Sequence, residues 1–528
     1  MIQPTVCILT AGKGTRLGMM TQKLNKALLP LQSKALLTHI IEKFPHDGHF
    51  VVAVGYLANQ VQSYLSIAHP DRNITLVSVD NYEGAGSGPG YSLLCCRKYL
   101  ERPFYFVSCD TLWEDSVDLS DTENWVGVSE INIAESERYC NVKIANGLVV
   151  DIRDKVYTTE PGHKAFVGLC FIKDFTIFWP ALENREMVAG EHQISNGLRA
   201  LITQVPVRAQ EIKWTDVGDA DGYRKALLRY ENYDFSKPDE ALYIVNGKVI
   251  KFFADSAITL RRVQRARLNP KVFPRISDHV EQLYAYEFVP GKTLYQINSP
   301  LIFSMLLEWL ESHLWKDVAV QPDVLSATCH KFYWEKTLER VRAFQKQYSD
   351  PEAILSINGR VVSPLSDLFE RLPWQRLRQG VARFIHGDLQ FDNILFDPKT
   401  MSFTLLDWRQ DFAGNLEFGD LYYDLAKLYA GIIVNYDYIK RNLISYQEEG
   451  HEVFFDFAQR YQSSCYLELL SDYLLKHQYD LSKVKLLAGL IYLNMSSLHH
   501  YPFDKVLYYL GRVMLHNELQ LLNEPNEQ

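Results

Sequence analysis

Short apolar runs alternate with amphipathic segments through the first 230 residues of the chain. The runs are TVCIL at 5–9, HFVVAVGY at 49–56, ITLVSVD at 74–80, PFYFVSCD at 103–110 and WVGVSE at 125–130. Alternating strand and helix signals of this kind predict an α/β domain with a mostly parallel sheet and helices on both faces. Because ligands of such sheets bind beyond the carboxyl ends of the strands, we expect functional residues to follow the apolar runs.

A chain of 528 residues exceeds what one compact core usually holds, so further domains are expected. The polar stretch YENYDFSKPDEA at 230–241 contains a proline and interrupts the alternation, which predicts a linker. We therefore place a first domain at 1–230 and a linker at 231–240. After it, ALYIVNGKVIKFFAD contains two strand-like runs joined at Asn246 and Gly247, a strong hairpin signal.

Composition limits the class of partner. The chain is 47% hydrophobic and 23% charged, as expected of a folded protein, and its formal net charge of -9 argues against nucleic acid or an anionic membrane as partner. No apolar stretch reaches the roughly 18 residues of a membrane span, and the N-terminal segment lacks the basic residues of a signal peptide.

The eight cysteines show no metal or disulfide spacing, so we expect a cytoplasmic protein with reduced thiols. The oligomeric state stays open, a homo-oligomer included.

The segment LTAGKGTRLG at 9–18 directly follows the first apolar run. Its glycines let backbone N–H groups approach a polyphosphate, and Arg16 adds a cation. The pattern is neither the Walker loop nor the dinucleotide fingerprint, and by itself it fits an ordinary tight turn equally well. The nucleotide-binding residues expected in this loop are Ala11, Gly12, Gly14 and Thr15.

Three further residues strengthen the interpretation as a nucleotide site. LNKALLPL places Lys26 shortly after the loop, VSCDTLW ends a strand with Asp110, and WTDVGDADGYRKA presents Asp216 ahead of a helix. Two carboxylates from separate strand ends suit a Mg²⁺ ion on the nucleotide phosphates. Lys26 and Arg16 are then the catalytic cations that meet the charge developing at the attacked phosphorus.

Residues 5–228 resemble the nucleotidyltransferase family that makes NDP-sugars and CDP-alcohols, since these motifs stand in the family's order and approximate spacing. The resemblance implies a Rossmann-like fold, phosphate binding by Arg16 and Lys26, and Mg²⁺ ligation by Asp110 and Asp216. It also implies that NYEGAGSGPGYSLL binds the nucleobase, with Gly86 and Gly88 in contact with the nucleotide.

The acceptor of this domain is indicated less directly. Asp154-Lys155-Val156 stands where the family's sugar-contacting Glu-Lys-Pro stands, so the resemblance implies that Lys155 binds a substrate phosphate and leaves the sugar open. Families of this type commonly activate choline, ethanolamine and polyol phosphates with CTP. CTP is therefore the expected nucleotide, with another NTP as the alternative.

A second constellation lies nearly four hundred residues after the first. In HGDLQFDNILFD, Asp388 can orient or deprotonate a hydroxyl, and Asn393 can reach a Mg²⁺ ion from the same loop. In LLDWRQDF, Asp407 can bridge that metal to the β- and γ-phosphates of ATP. The pair of motifs predicts phosphoryl transfer from ATP to a small molecule.

Residues 241–515 resemble the aminoglycoside phosphotransferase and choline kinase family. The resemblance implies a bilobal (α+β) kinase-like domain with an N-lobe at 241–295 and a helical C-lobe at 296–528. It makes Asp388 the catalytic base and Asn393 and Asp407 the metal ligands. It further implies a supporting role for His386, and bracing rather than substrate contact for the two aspartates of FGDLYYDLAKLY, Asp420 and Asp424.

The front lobe departs from this family's pattern. Lys251 in KVIKFF fits the strand lysine that contacts ATP phosphates, and the backbone near Glu287 in LYAYEFVPGKTL fits the adenine-facing hinge. However, no glycine-rich loop precedes Lys251, and ADSAITLRRVQRARL offers no glutamate to pair with it. An abbreviated but active lobe and a degenerate, regulatory domain both stay open.

Together the two resemblances imply a bifunctional enzyme. One domain would phosphorylate a small alcohol of the choline, ethanolamine or polyol type with ATP. The other would couple the phosphate to a nucleotide, release pyrophosphate and yield an activated precursor for a surface glycan or lipid. The alternatives are a sugar 1-kinase joined to a sugar-1-phosphate nucleotidyltransferase, and an active nucleotidyltransferase regulated by a kinase-like domain without catalysis.

Overall fold

The computed structural model describes residues 3–114, 122–158, 162–184, 187–188, 190–230, 237, 239–348 and 351–523. Contacts divide the chain into two compact units, Met1–Tyr230 with Pro238–Ala254, and Glu231–Lys237 with Asp255–Gln528. Most of the predicted linker at 231–240 lies outside the described residues. Among the helices that the structure describes, none is both long and apolar enough to span a bilayer.

Strands and helices alternate along the first unit. Its strands are β1 (Thr5–Leu9), β2 (Pro30–Leu31), β3 (Lys34–Ala35), β4 (His49–Val54), β5 (Asn73–Ser78), β6 (Phe104–Ser108), β7 (Thr111–Trp113), β8 (Asn124–Ser129), β9 (Cys140–Ala145), β10 (Leu148–Asp154), β11 (His163–Ile172), β12 (Met187–Val188), β13 (Glu191–His192), β14 (Val207–Glu211), β15 (Trp214–Asp216), β16 (Glu240–Val245) and β17 (Lys248–Phe253). Its helices are α1 (Leu36–Ile41), α2 (Ala58–Ala68), α3 (Pro89–Cys96), α4 (Phe175–Glu183), α5 (Ser195–Gln204) and α6 (Ala220–Tyr230).

The five apolar runs of the sequence form five strands of one nine-stranded sheet, in the order β5-β4-β1-β6-β11-β8-β14-β10-β9. β5, β4, β1 and β6 are parallel neighbours. Every residue of β1 is buried, as expected of a strand that is covered on both faces. The predicted α/β sheet is confirmed in this half of the domain.

The other half of the sheet is mixed, which the prediction of a mostly parallel sheet did not anticipate. β11 runs antiparallel to both β6 and β8, and β10 runs antiparallel to β9 and β14. Parallel neighbours need a crossover, usually a helix, and the described part of the chain has no α-helix between β8 and β11. The strands in this segment therefore reverse direction.

The hairpin predicted at Asn246-Gly247 is confirmed and packs within the first unit. Both turn residues have positive φ, +49° and +73°, as a two-residue hairpin turn requires. On β16, Tyr243 donates from its hydroxyl to the Leu28 carbonyl at 2.6 Å, and its ring lies 4.9 Å from that of Tyr64. The first residues of the predicted kinase-like N-lobe, 241–254, thus group with the first unit. The predicted domain boundaries stay predictions.

Helices dominate the second unit. Its strands are β18 (Ile276–Val280), β19 (Leu283–Glu287), β20 (Lys292–Thr293), β21 (Ser356–Ile357), β22 (Arg360–Val361), β23 (Ala382–Arg383), β24 (Ile394–Asp397), β25 (Ser402–Leu405), β26 (Gly419–Asp420), β27 (Ile444–Glu449) and β28 (Glu452–Phe457). Its helices are α7 (Ser256–Leu268), α8 (Pro300–His313), α9 (Pro322–His330), α10 (Lys336–Gln347), α11 (Leu365–Arg371), α12 (Trp374–Leu377), α13 (Leu421–Ile433), α14 (Tyr436–Lys440), α15 (Ser463–Lys476), α16 (Leu481–Ser496) and α17 (Phe503–Asn523).

Two elements of the second unit position its motif residues. The β24–β25 hairpin pairs Ile394 with Leu405, so the residues just before β24 and just after β25 are neighbours. The α13 helix is buried along almost its whole length and packs against α16. These elements confirm the helical character predicted for the C-lobe.

Candidate active sites

Strand register in the first unit brings the glycine loop and both acidic residues to one edge of the sheet. β1 and β6 are parallel, and Leu9 is paired with Ser108, so the loop after β1 and Asp110 after β6 leave the sheet side by side. β15 pairs with β7 so that Asp216 lies opposite Thr111. Asp110 and Asp216, the two carboxylates predicted to share a metal, therefore lie close together at this edge of the sheet.

Gly218 marks the point at which the charged side chains converge. A Cβ atom added there would lie 2.9 Å from Asp110 Oδ2, 2.9 Å from Asp216 Oδ1 and 3.3 Å from Arg16 Nη2. The Gly218 N–H donates to Asp216 Oδ1 at 2.8 Å. Sequence analysis missed this residue, although WTDVGD contains it, because its role depends on side chains from distant positions.

Lys26 and Asp110 form an ion pair inside this site. Burial opposes the charge of Lys26, but Asp110 outweighs it and raises the pKa of Lys26. Burial likewise favours protonation of Asp110, yet Lys26 and a hydrogen bond from Ser108 lower the pKa of Asp110 to about 2. Arg16 Nη2 lies 4.0 Å from Asp110 Oδ2 and is exposed, so both predicted catalytic cations stand beside this carboxylate.

Asn25 fixes the position of Lys26. Its side chain donates to the carbonyls of Thr10 at 3.1 Å and Tyr56 at 2.6 Å, and it accepts from Ala27 N at 2.9 Å as the N-cap of a short 3₁₀ helix. This asparagine is fully buried. The sequence shows a polar residue directly before Lys26. It does not show that residue's partners, Thr10 and Tyr56, because they lie far away along the chain.

The glycine loop adopts the backbone conformation that its residues allow. Gly14 and Gly18 have φ of +66° and +60°, which favours glycine, and Gly14 packs against the Lys26 side chain. Ala11 is buried, whereas Gly12 and Thr15 are exposed on the surface of the loop. The loop thus exposes backbone beside Lys26 and Asp110, and its predicted contacts with a nucleotide stay predictions.

The second glycine segment packs on another part of the same unit. A Cβ atom at Gly88 would lie 2.7 Å from the His192 carbonyl oxygen, and Gly86 N donates to the Gly190 carbonyl at 3.0 Å. The β12–β13 hairpin therefore accounts for the absence of a side chain at Gly88. Binding of a nucleobase by Gly86 and Gly88 stays a prediction.

A cavity of about 210 Å³ adjoins the converging carboxylates. It is lined by Arg16, Asp110, Tyr139, Lys155, Ser195 and Asp216, among others. Lys155, predicted to bind a substrate phosphate, pairs with Glu191 at 2.9 Å, and Tyr139 donates to Asp216 Oδ2 at 3.0 Å. The cavity therefore adjoins residues predicted to bind the triphosphate and the substrate phosphate.

The second unit brings Asp388, Asn393 and Asp407 together. Asn393 Nδ2 donates to the Asp388 carbonyl at 2.9 Å, and Leu406 N donates to the Asn393 carbonyl at 2.7 Å. Asp407 follows directly, with φ of +53° in the left-handed region. Residues nearly twenty positions apart thus meet at the open end of the β24–β25 hairpin.

His386 supports this loop as a neutral ring. Burial lowers the pKa of His386 to about 4. Its Nδ1 accepts from Asp388 N at 3.1 Å, so its Nε2 carries the proton and donates to the Leu406 carbonyl at 2.8 Å. Asp424 accepts from the backbone of His386 and Gly387, both at 2.8 Å, and burial raises the pKa of Asp424 to about 6. Both residues act on the loop backbone.

Lys427 holds the carboxylate of Asp388. The Lys427 Nζ atom lies 2.8 Å from Asp388 Oδ1. Burial favours protonation of Asp388, but Lys427 outweighs it, so the pKa of Asp388 is lowered. The same pairing raises the pKa of Lys427 against the effect of its own burial. Asp388 is therefore ionised at neutral pH, as a proton acceptor must be.

Arg262 on α7 is a further charged residue that sequence analysis missed. It forms an ion pair with Asp407, and its side chain is largely buried. The sequence indicated only that α7 lacks a glutamate. The structure shows a residue of opposite charge on this helix, in contact with the predicted metal ligand.

Family models match both halves of the chain. Residues 6–118 match the MobA-like NTP transferase domain, and residues 254–453 match the phosphotransferase enzyme family. The chain joins a MobA-like NTP transferase domain to a phosphotransferase-family domain. This confirms the fusion and the fold class that the motifs predicted, and both matched families are families of group-transferring enzymes.

Curated relatives cover part of the chain. Bifunctional protein GlmU of Methanococcus maripaludis strain C5 is 27% identical over 247 residues, 46% of this chain and 56% of that protein. GlmU of Methanocaldococcus jannaschii is 26% identical over 253 residues, 46% of this chain and 59% of that protein. The chain thus spans just over half the length of these relatives.

Solved structures resemble a similar share of the chain. A UDP-glucose pyrophosphorylase complexed with UDP-glucose covers 43% of this chain and 98% of its own, with 18% identity and a TM-score of 0.39. A UTP-bound UGPase from Acinetobacter baumannii covers 44% of this chain and 94% of its own, with 16% identity and a TM-score of 0.37.

The donor atoms in both domains fit Mg²⁺. Asp110 and Asp216 in the NTP transferase domain, and Asp407 in the phosphotransferase domain, would supply hard oxygen ligands. Asn393 uses its amide nitrogen on the Asp388 carbonyl, which leaves its amide oxygen for a metal. Mg²⁺ is usually bound by one or two carboxylates together with water and substrate phosphates. The described residues contain no cluster of three or more His, Cys, Asp or Glu side chains suited to a metal.

Two predicted ATP contacts belong to different units. Lys251 is buried on β17 in the first unit, and Glu287 is exposed at the end of β19 in the second. Each lies on the strand that the sequence indicated. Their contacts with ATP stay predictions.

Proposed function

We propose that the protein catalyses two consecutive transfers in the cytoplasm. The phosphotransferase domain phosphorylates a small alcohol with ATP, and the NTP transferase domain couples the resulting phosphate to a nucleotide. The observation that carries this proposal is the convergence of each motif's side chains. Asp110 and Asp216 meet at Gly218, and Asp388 and Asn393 meet beside Asp407.

In the first transfer, the acceptor hydroxyl binds beside Asp388. The hydroxyl oxygen bonds to the γ-phosphorus of ATP while Asp388 takes the proton. The bond between the γ-phosphorus and the β–γ bridging oxygen breaks, and ADP leaves. Lys427 keeps Asp388 ionised. Asn393 and Asp407 would hold Mg²⁺, which would neutralise phosphate charge.

In the second transfer, the new phosphomonoester occupies the cavity near Lys155. Its oxygen attacks the α-phosphorus of the NTP, the bond to the α–β bridging oxygen breaks, and pyrophosphate leaves. Lys26 and Arg16 stand where negative charge builds up on the α-phosphoryl group. Lys26 is already oriented by its ion pair with Asp110, so this cation needs little reorganisation.

CTP is the proposed nucleotide, and the product is proposed as an activated precursor for a surface glycan or lipid. CTP is supported by the departure of Asp154-Lys155-Val156 from the sugar-contacting sequence of the family. A second candidate is a sugar 1-kinase joined to a sugar-1-phosphate nucleotidyltransferase. It is favoured by the pairing of Lys155 with a carboxylate at the rim of a cavity that can hold a sugar phosphate.

The test uses the purified full chain with ATP, Mg²⁺ and one of CTP, UTP, GTP or dTTP. Acceptor alcohols and free hexoses are supplied in turn, and products are identified by mass spectrometry. We expect one acceptor to gain phosphate and then appear as its nucleotide derivative with pyrophosphate. Conversion of pre-phosphorylated acceptors alone would instead favour a regulatory role for the phosphotransferase domain.

A further inference from the structure

Two cations lie against one aromatic ring in the phosphotransferase domain. The Lys336 Nζ atom, at the start of α10, is 4.1 Å from the ring centroid of Phe332 and 5.9 Å from that of Tyr423. The Arg409 guanidinium carbon is 4.9 Å from the Phe332 centroid. The ring of Phe332 therefore contacts two positive charges.

These cations adjoin the proposed catalytic base. Arg409 N donates to the His386 carbonyl at 3.0 Å, and a Cβ atom at Gly387 would lie 2.8 Å from Arg409 Cβ. Both contacts involve the two residues directly before Asp388, whose carboxylate pairs with Lys427 from α13. We call Lys336, Arg340, Arg409 and Lys427 the cationic cluster.

Most of the cationic cluster lacks an ion-pair partner in the part of the chain that the structure describes. Lys336, Arg340 and Arg409 form no ion pair with a described carboxylate, and Arg409 Nε is buried without a hydrogen-bond partner. The one carboxylate that Lys427 contacts is that of Asp388. Lys336 and Arg409 are therefore not neutralised by an ion pair with a described carboxylate, and they can pair with an external anion.

The charges in the cluster also oppose one another. Burial lowers the pKa of Lys336 well below its ordinary value, and Arg409, Lys427 and Arg340 lower it further. Burial lowers the pKa of Arg340, Glu339 opposes that effect, and Arg409 adds to it. Like charges held together out of water are unfavourable unless an anion binds among them.

We propose that the alcohol phosphorylated by this domain carries an anionic group, a carboxylate or a phosphate, that binds to Lys336 and Arg409 beside Phe332. The inference rests on the proposed phosphotransfer and names its acceptor class. A quaternary ammonium or an amine would meet repulsion here, because Lys336 and Arg409 already occupy positions over the ring that a cation would need. Choline and ethanolamine, expected from the family resemblance, are therefore replaced by acidic polyols or sugars.

The test compares acceptors that differ mainly in charge. The full chain is assayed with ATP and Mg²⁺ on glucose, gluconate, glucose 6-phosphate and glucosamine, and on glycerol, glycerate, glycerol 3-phosphate and choline. Phosphate transfer is followed by ³¹P NMR. We expect an anionic member of each series to have the highest kcat/KM, and the carboxylate and phosphate arms separate the two sources of charge. Preference for neutral or cationic members would overturn the inference while leaving the proposed function intact.

Variants locate the effect. Lys336→Met and Arg409→Gln are expected to raise the KM of the anionic acceptor about tenfold or more, with the KM of ATP little changed. The matched controls are Lys331→Met and Arg342→Gln, which remove exposed cations from neighbouring positions. Equal effects of the two pairs would contradict a specific anion site.

A binding measurement decides the matter if no acceptor in the panel turns over. Thermal shift is recorded with gluconate and with inorganic phosphate for the wild type, Lys336→Met and Lys331→Met. Binding in the NTP transferase domain contributes equally to all three proteins. We expect a smaller shift for Lys336→Met alone, and equal shifts would overturn the inference. Absence of phosphotransfer together with this selective loss would count against the proposed function and not against the anion site.

Discussion

Arg262 and Asp407 form an ion pair between α7 and the segment after β25. The carboxylate predicted to bind Mg²⁺ is thus already neutralised by an arginine. An arginine on this helix offers Asp407 a charge that competes with the metal. The helix α7 thus lacks the family's glutamate and instead carries an arginine that contacts a predicted metal ligand. This departure from the family pattern therefore affects the predicted metal site.

We expect Arg262→Met to strengthen Mg²⁺ binding, because Asp407 loses its competing cation. The Mg²⁺ concentration for half-maximal phosphotransfer should fall several-fold, and Mg²⁺ titration by calorimetry with a non-hydrolysable ATP analogue gives the same comparison without turnover. Arg261→Met is the matched control, since Arg261 pairs with Asp411 at 3.0 Å from the same helix. An unchanged or larger Mg²⁺ requirement in Arg262→Met alone would rule out competition.

Separate substitutions should separate the two transfers. Asp110→Asn and Asp216→Asn are expected to lower nucleotidyl transfer about a hundredfold or more while phosphotransfer persists. Asp388→Asn should have the opposite result, because the amide cannot accept the hydroxyl proton. Both rates are measured on each variant, so the retained activity reports folding. Loss of both activities in a folded variant would contradict two independent sites.

Lys427 should set the acid limit of phosphotransfer. With Lys427 present, the pKa of Asp388 lies below its ordinary value, so the base is ionised and the rate is flat from about pH 5 to 8. In Lys427→Met the carboxylate loses this cation, while burial and the charge of Asp407 still favour its protonation, so the pKa of Asp388 rises. The acid limb of kcat/KM should then move upward, and Lys427→Arg should restore it. A profile that does not move would exclude this role.

Gly218→Ala should impair the NTP transferase domain selectively. The added methyl group would lie 2.9 Å from both carboxylates, so Asp110, Asp216 or the backbone must shift. We expect nucleotidyl transfer to fall about tenfold to a hundredfold, since small displacements of reacting groups have effects of this size. Phosphotransfer by the same sample is the internal control. Wild-type nucleotidyl transfer would show that the carboxylates are not held at this point.

Tyr243→Phe should weaken the first unit. The substitution leaves the buried Leu28 carbonyl without its donor, which costs about 1 to 3 kcal/mol of unfolding free energy. The urea concentration that abolishes nucleotidyl transfer should fall accordingly. Tyr461→Phe, at a side chain that is 94% exposed, is expected to have no effect. An equal midpoint for both variants would argue against anchoring of the hairpin through Tyr243.

Much of both sites could be predicted from local sequence. The five apolar runs predicted five strands of the sheet. Asp110 directly after a strand, and Asp388 and Asn393 within one loop, could be predicted as functional because each motif lies within a few residues of sequence. Lys427, Arg262 and Gly218 could not be found in this way. Each acts on a carboxylate distant in the chain, and no periodicity or spacing encodes a contact made by tertiary packing alone. For the same reason, no local motif indicated the cationic cluster around Phe332.

The hairpin of β16 and β17 also determines where the chain can be divided. A cut within 231–240, the position that composition suggests, would leave Tyr243 and Asn246 on one fragment and the Leu28 and Ala68 carbonyls that accept from them on the other. Each fragment would expose a surface that is buried in the intact protein, and such surfaces associate with one another. Gene fusions or proteolytic fragments that end before this hairpin should therefore be destabilised in the first unit and aggregate.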